Sequence, residues 1–133
     1  MALHAARRVA LQMIYARLFN QGGDCSSVLE GQPDADPAAE DQAFIDQALL
    51  GTLEKEPDYN RIIQSFSPQR ALERIPALDR AILHLALYEL SAPGALPGVI
   101  VNEAVELAKR FGDESDSKFI NGLLGNYLRS QVP

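Results

Sequence analysis

Apolar residues recur every three or four positions along most of the chain, the spacing that places side chains on one face of an α-helix. In the first such segment, residues 5–20, Leu11, Ile14 and Leu18 carry the repeat. No segment alternates apolar and polar residues as a half-buried strand does. The pattern therefore predicts an all-α protein.

Proline and glycine divide the rest of the pattern into further elements. A second helix is predicted over about residues 37–56, an amphipathic piece over 59–66 and a short helix over 69–75. Residues 22–36 are rich in Gly, Ser, Asp and Pro and predict an exposed loop between the first and second helices. The length suits one hydrophobic core, so a single domain over residues 1–133 is expected.

The segment over residues 78–90 is apolar around most of its circumference, which predicts the central and most buried helix. Asp79, Arg80 and His84 share one strip of it, which is expected to reach solvent or a partner. A further helix is predicted to end at Gly112, and Ser115 or Asp116 is a candidate N-cap for the last helix.

Composition excludes several classes of function. No apolar run is long enough to cross a membrane, so a soluble cytoplasmic protein is expected. One cysteine, Cys25, and two histidines supply no zinc-type ligand set, so no cofactor is expected. The net charge of −6 argues against a broad nucleic-acid surface, because phosphate affinity needs clustered Lys and Arg.

Phe119 lies at the edge of the last apolar arc, in the first turn of its helix, beside Lys118. A half-exposed aromatic next to a cation suits stacking on an unpaired base. A peripheral core position is the alternative explanation.

His4, Arg7 and Arg8 put positive charge at the start of the first helix, which is the unfavourable end of the helix dipole. A ligand contact and a solvated helix start are both open explanations. Glu106 and Arg110 have the i, i+4 spacing of a pair that stabilises a helix surface. No spacing places a nucleophile or a carboxylate pair near His84, so no catalytic site is predicted.

The chain resembles the NusB family of bacterial transcription antitermination factors. The resemblance is carried by LDRAILHLALYEL at residues 78–90, VNEAVELAKRFG at 101–112 and SKFINGLLG at 117–125, with weaker agreement at 7–15 and 72–83. It implies a compact bundle of about seven helices in two packed halves, without catalytic activity. Similar domains occur fused to RNA methyltransferases. This sequence lacks the alternation of strands and helices that forms a cofactor-binding domain, so no methyltransferase domain is predicted in it.

The resemblance also implies two partners. Family members bind NusE, a small-subunit ribosomal protein, and the pair recognises a single-stranded boxA RNA so that RNA polymerase elongates through terminators of ribosomal RNA operons. The RNA-contacting regions of the family correspond to Phe119 and Lys118 in the last helix and to Arg7 and Arg8 at the end of the N-terminal arginine-rich segment. His4 is added as an RNA-binding candidate because of its place at the same helix start. The positions that face NusE correspond to Tyr15 and Asp79, and the segment close to NusE contains Ser115 and Asp116. Arg80 is added as a candidate because it adjoins Asp79 on the polar strip.

The chain departs from the family on the expected RNA side. Family members usually carry three or more arginines upstream of Arg7, where this sequence has one histidine, and His84 stands where arginine is common. These changes remove positive charge. A protein-interaction module with weak or lost RNA binding is therefore the alternative hypothesis, and a homodimer that covers an apolar face stays open.

Overall fold

The computed structural model describes residues 4–20 and 39–131, which form α-helices and one short 3-10 turn. The helices are α1 (His4–Asn20), α2 (Ala39–Glu54), α3 (Glu56–Phe66), α4 (Ala77–Leu90), α5 (Pro97–Phe111) and α6 (Glu114–Ser130), and the 3-10 turn is Leu72–Arg74. No strand occurs within the described ranges, and the all-α class is confirmed. The six helices found in these ranges compare with about seven expected. Cys25 and the predicted loop at 22–36 lie outside the described residues.

Helix α4 lies at the centre of the fold. It contacts each of the other five helices, and its side chains from residue 81 to residue 87 are all buried. This arrangement follows from the sequence, because a helix that is apolar around its circumference is stable only when other helices cover every face. The predicted central position of this helix is confirmed. One continuous hydrophobic cluster draws on all six helices.

The segment predicted as a short helix over residues 69–75 forms only the 3-10 turn. The side chain of Gln64 explains the difference. Its Nε2 donates to the carbonyl oxygens of Ser67 at 2.9 Å and Arg70 at 2.7 Å, and its Oε1 accepts from the backbone N–H of Leu72 at 2.8 Å. These hydrogen bonds satisfy backbone groups that a longer helix would have paired within itself.

The last helix begins two or three residues earlier than predicted, because the N-cap is Asp113 rather than Ser115 or Asp116. Asp113 Oδ1 accepts from the backbone N–H groups of Ser115 at 2.9 Å and Asp116 at 3.2 Å. In return, Asp116 Oδ2 accepts from the Asp113 N–H at 2.8 Å, which completes a capping box. The box fixes the entry into α6 and therefore the position of Phe119 one turn later.

Candidate nucleic-acid and protein interface

Phe119 is half-buried on the first turns of α6, as its place at the edge of the apolar arc predicted. The guanidinium carbon of Arg70 lies 5.1 Å from the centre of its ring, within the range of a cation–π contact. Arg70 itself is exposed, in the loop that Gln64 organises. One aromatic ring and one guanidinium, both within reach of solvent, thus form a surface on which a flat ligand could stack.

Lys118 extends from the same turn into solvent. Its Nζ lies 3.5 Å from Glu114 Oε1, and both side chains are at least three-quarters exposed. Such a pair contributes little to stability because water and salt screen it. The ammonium group therefore remains available to a phosphate close to the Phe119 ring.

Asp79 lies beneath the same corner, at the start of α4. Its side chain is 1% exposed, and its Oδ1 makes no hydrogen bond within the described part of the chain. Burial raises the pKa of Asp79 to about 7, and the neighbouring Asp116 carboxylate adds to the rise, whereas Arg70 opposes it. The prediction that Asp79 reaches the surface is wrong, because α6 and its capping box cover this end of α4.

The other predicted partner-facing residues divide between core and surface. His84 is completely buried, and its Nε2 lies 2.9 Å from Asn60 Oδ1, so its predicted place on an exposed strip is also wrong. Burial, together with the charges of nearby arginines, lowers the pKa of His84 to about 4 and keeps the ring neutral. Arg80 is partly exposed, and Tyr15 is partly buried against the core. Ser115 is exposed at the α6 cap.

Arg7 is buried and forms an ion pair inside the fold. Its Nη2 donates to Glu89 Oε1 at 2.7 Å, its Nε donates to Glu89 Oε2 at 2.9 Å, and its Nη1 lies 3.4 Å from Glu103 Oε1. Burial acts to lower the pKa of Arg7, but the hydrogen bonds and charge of Glu89 outweigh it and raise that pKa above its ordinary value. This role differs from both explanations that the sequence left open, a ligand contact and a solvated helix start.

His4 and Arg8 line a surface cleft of about 270 Å³ between α1 and α5, and Arg110 lies on its other wall. His4 Nδ1 is 2.7 Å from Glu103 Oε1, and the imidazole is more than half exposed. The expected pair of Glu106 with Arg110 does not form, because Glu106 Oε2 instead lies 3.6 Å from Lys109 Nζ. His4 and Arg8 therefore share one cleft with Arg110 and with the carboxylates of Glu103 and Glu106.

Sequence reasoning missed Arg70 and Arg110 as members of these surfaces. Arg70 is distant from Phe119 in the sequence, and only the packing of the loop before α4 against α6 brings them together. Arg110 was assigned to an intrahelical pair because its spacing from Glu106 is ideal. No local signal distinguishes a cation that pairs along its helix from one that faces another helix.

The fold and these two surfaces define an all-helical protein with an aromatic corner and a cleft lined by charged side chains of both signs, both suited to contacts with other molecules. A family model described as "NusB family" matches residues 4–129. The transcription antitermination protein NusB of Bacillus subtilis is 37% identical over 127 residues, covering 95% of this chain and 96% of that protein. The chain belongs to the NusB family, which is a family of transcription factors.

Solved structures agree with this assignment. A structure of T. maritima NusB superimposes with a TM-score of 0.84 at 25% identity, covering 100% of this chain and 94% of that one. A second, described as antitermination factors NusB and NusE in complex with dsRNA, has a TM-score of 0.77 at 20% identity and covers 96% of both chains. At 20% identity, the similarity to this second structure is a similarity of fold alone. No helix in the described ranges is long and apolar enough to cross a membrane.

Proposed function

We propose that this protein is a transcription antitermination factor that binds NusE and boxA-type single-stranded RNA and so promotes elongation of ribosomal RNA transcripts. The observation that carries the proposal is the Phe119 ring, which is partly exposed, lies against the Arg70 guanidinium and is next in sequence to the exposed Lys118. An unpaired base stacks on such a ring, and adjacent cations attract its phosphate. The structural relative described as antitermination factors NusB and NusE in complex with dsRNA supports NusE and an RNA as partners, and the single-stranded form of that RNA is what the titration below tests.

The NusE surface is proposed around the start of α6 and the adjacent end of α4. Ser115, Asp116 and Arg80 have exposed or partly exposed side chains there, and Tyr15 contributes from α1. Asp79 lies under this surface, so its proposed role is to hold the corner in shape and to act on a partner through Asp116. The proximity of the RNA corner to this surface fits a protein that binds both partners together.

A binding protein without catalytic activity is the proposed class, acting in the cytoplasm as a single domain. The described residues contain no group of three or more His, Cys, Asp or Glu that could hold a metal ion. Leu50, Leu53, Leu96 and Val99 expose apolar surface that a second copy of the chain could cover. Light scattering on the isolated protein distinguishes a monomer from such a homodimer.

The second candidate function is protein binding with weak or lost RNA affinity. It is favoured by the internal ion pair of Arg7, which removes one of the few cations expected on the RNA side. In that case NusE would bind tightly and RNA would not strengthen the complex.

The deciding experiment is a fluorescence anisotropy titration of a labelled boxA RNA with the protein alone and with NusE, at two salt concentrations. The proposal expects binding that NusE strengthens and that salt weakens. The same strand annealed to its complement separates recognition of unpaired bases from recognition of a duplex. If neither form binds while both proteins are folded, RNA recognition is excluded.

Substitutions of Phe119 test the stacking step separately. Phe119→Tyr keeps the aromatic face, whereas Phe119→Leu keeps apolar packing and loses that face. Stacking predicts that the Leu variant loses about tenfold in affinity while the Tyr variant stays near the wild type. Equal affinities for the two variants would show that Phe119 serves only as packing.

A further inference from the structure

The side chain of Arg70 lies over the Phe119 ring and is otherwise unengaged. Its guanidinium carbon is 5.1 Å from the ring centre, and the side chain is exposed to solvent. Within the ranges 4–20 and 39–131, the guanidinium group makes no hydrogen bond and no ion pair. An arginine side chain carries five N–H donors in one plane. These donors, and the outer face of that plane, therefore remain available to a molecule from outside the fold.

The backbone of Arg70 is held in place by α3. Gln64 Nε2 donates to the Arg70 carbonyl oxygen at 2.7 Å, and the Arg70 N–H donates to the carbonyl oxygen of Ser67 at 3.3 Å. Gln64 also bonds the backbone of Ser67 and of Leu72, on either side of Arg70. A group whose backbone is already ordered loses less conformational freedom when it binds a ligand. The loop thus positions the guanidinium group over the ring before any ligand arrives.

Phe119 supports the guanidinium group from the protein side. The ring is partly buried and packs against the hydrophobic core, and the capping box of Asp113 and Asp116 fixes the start of the helix that carries it. A base that arrives from solvent at this corner therefore meets the Arg70 guanidinium as well as the ring. The planes of arginine side chains are themselves surfaces on which unpaired RNA bases stack.

We propose that Arg70 is a base-contacting residue, and that an unpaired RNA base stacks on its guanidinium group while Phe119 supports that group from beneath. The inference rests on the proposed RNA-binding function and deepens it, because neither the sequence pattern nor the family resemblance assigned a role to Arg70. The two side chains together are called the Arg70–Phe119 platform. Two other roles are distinguishable by experiment: a positive charge alone, or a cover that must leave the ring before a base can stack on it.

The test compares Arg70→Lys and Arg70→Ala with the wild type in titrations of the labelled boxA RNA with NusE present. Lysine keeps the positive charge but has no plane on which a base can stack. The platform predicts that both variants bind about tenfold more weakly, which lies within the range for the loss of one stacked base. Wild-type affinity of Arg70→Lys would show that only the charge matters, and tighter binding by Arg70→Ala would show that Arg70 covers the ring. Either result overturns the inference.

Arg74→Ala is the matched control. Arg74 is also exposed and lies in the 3-10 turn of the same loop, but no aromatic ring of the described residues lies under its guanidinium group. Its replacement removes the same positive charge, so the general attraction to RNA phosphates falls alike. We expect a much smaller loss of affinity than for Arg70→Ala. Equal losses would assign the effect to net charge and overturn the platform.

A double-mutant cycle with Phe119→Leu tests whether the two side chains act as one unit. If one base stacks on one platform, adding Arg70→Ala to Phe119→Leu costs little further affinity, because the support of the guanidinium group is already lost. A loss of about a hundredfold in the double variant, the product of two tenfold losses, would indicate two independent contacts and overturn the platform.

The same titrations separate this inference from the proposed function. If Phe119→Leu weakens binding while both Arg70 variants bind like the wild type, the role of Arg70 is refuted and the RNA-binding function stands. A wild-type protein that does not bind the RNA, with or without NusE, overturns both. Circular dichroism spectra of each variant verify that it is folded, as expected for substitutions at an exposed side chain.

Discussion

Replacement of Arg7 alone is predicted to be among the most destabilising changes to a polar contact of this fold, because it leaves the buried Glu89 carboxylate without its counter-charge. Replacement of Arg7 by alanine removes three hydrogen bonds to Glu89 and leaves that carboxylate enclosed between α1, α4 and α5. Both side chains are only 10% exposed, so water cannot readily replace the lost guanidinium. Glu103 also loses the cation that lies 3.4 Å from it.

The size of the effect follows from this burial. Removal of one partner of a buried ion pair costs about 3–5 kcal/mol, and the residual exposure of this pair places Arg7→Ala near the lower end, at about 3 kcal/mol. With a urea m-value of about 1.5 kcal/mol/M, that loss lowers the unfolding midpoint by about 2 M. A loss of this size is a substantial part of the total stability of about 5–15 kcal/mol that domains have.

Urea unfolding followed by circular dichroism measures the prediction, and Arg61→Ala is the matched control. Arg61 pairs with Asp58 on α3, but the two side chains are 72% and 49% exposed, so its loss should be nearly neutral. The double variant Arg7→Met, Glu89→Leu should regain much of the stability, because it leaves no unpaired buried charge. An Arg7→Ala midpoint within error of that of Arg61→Ala would refute the reasoning.

Three further outcomes are expected. Burial, together with the neighbouring Asp116 carboxylate, raises the pKa of Asp79 in the folded state from 3.8 to about 7. Between these two pKa values the folded state binds a proton that the unfolded state has lost. The free energy of unfolding therefore falls as the pH rises from 3.8 to about 7. Asp79→Asn should remove that part of the pH dependence and be more stable than the wild type at pH 8, by at most about 4 kcal/mol, with no advantage below pH 4 in urea titrations; an advantage independent of pH would contradict it. A Cβ at Gly51 would lie 2.5 Å from Tyr88 Cε1, so Gly51→Ala should destabilise by about 1 kcal/mol despite the better helix propensity of alanine. A Cβ at Gly122 meets nothing within 4 Å, so Gly122→Ala should stabilise by up to about 1 kcal/mol in thermal unfolding, and a loss of stability would contradict an open, exposed position for this residue.

The sequence predicted the elements that local rules control. The central helix, the amphipathic helices around it and the edge position of Phe119 all follow from the spacing of apolar residues, because a helix buries whichever face is apolar. Predictions of ion pairs were less successful where a charged residue had several possible partners. Glu106 had two basic residues within one turn, and its spacing could not show that it pairs with Lys109.

Exposure of polar residues was the other weak point. Asp79 and His84 lie on the most polar strip of α4, which suggested contact with solvent, yet both are buried. In His84 the hydrogen bond to Asn60 offsets part of the cost of burial, and in Asp79 a raised pKa does so by favouring the neutral acid. Neither compensation is visible in a helical projection, which considers one helix at a time.

The sequence by itself determined the class of fold, the order of the helices, the family resemblance and the aromatic at the start of α6. Only the tertiary structure decided that Arg7 turns inward to Glu89, that Arg70 covers Phe119 and that Arg110 faces Arg8 across a cleft. The physical reason is the range of the interactions. Helix formation and amphipathicity depend on residues a few positions apart, whereas the role of a charged side chain depends on which distant helix supplies its nearest counter-charge.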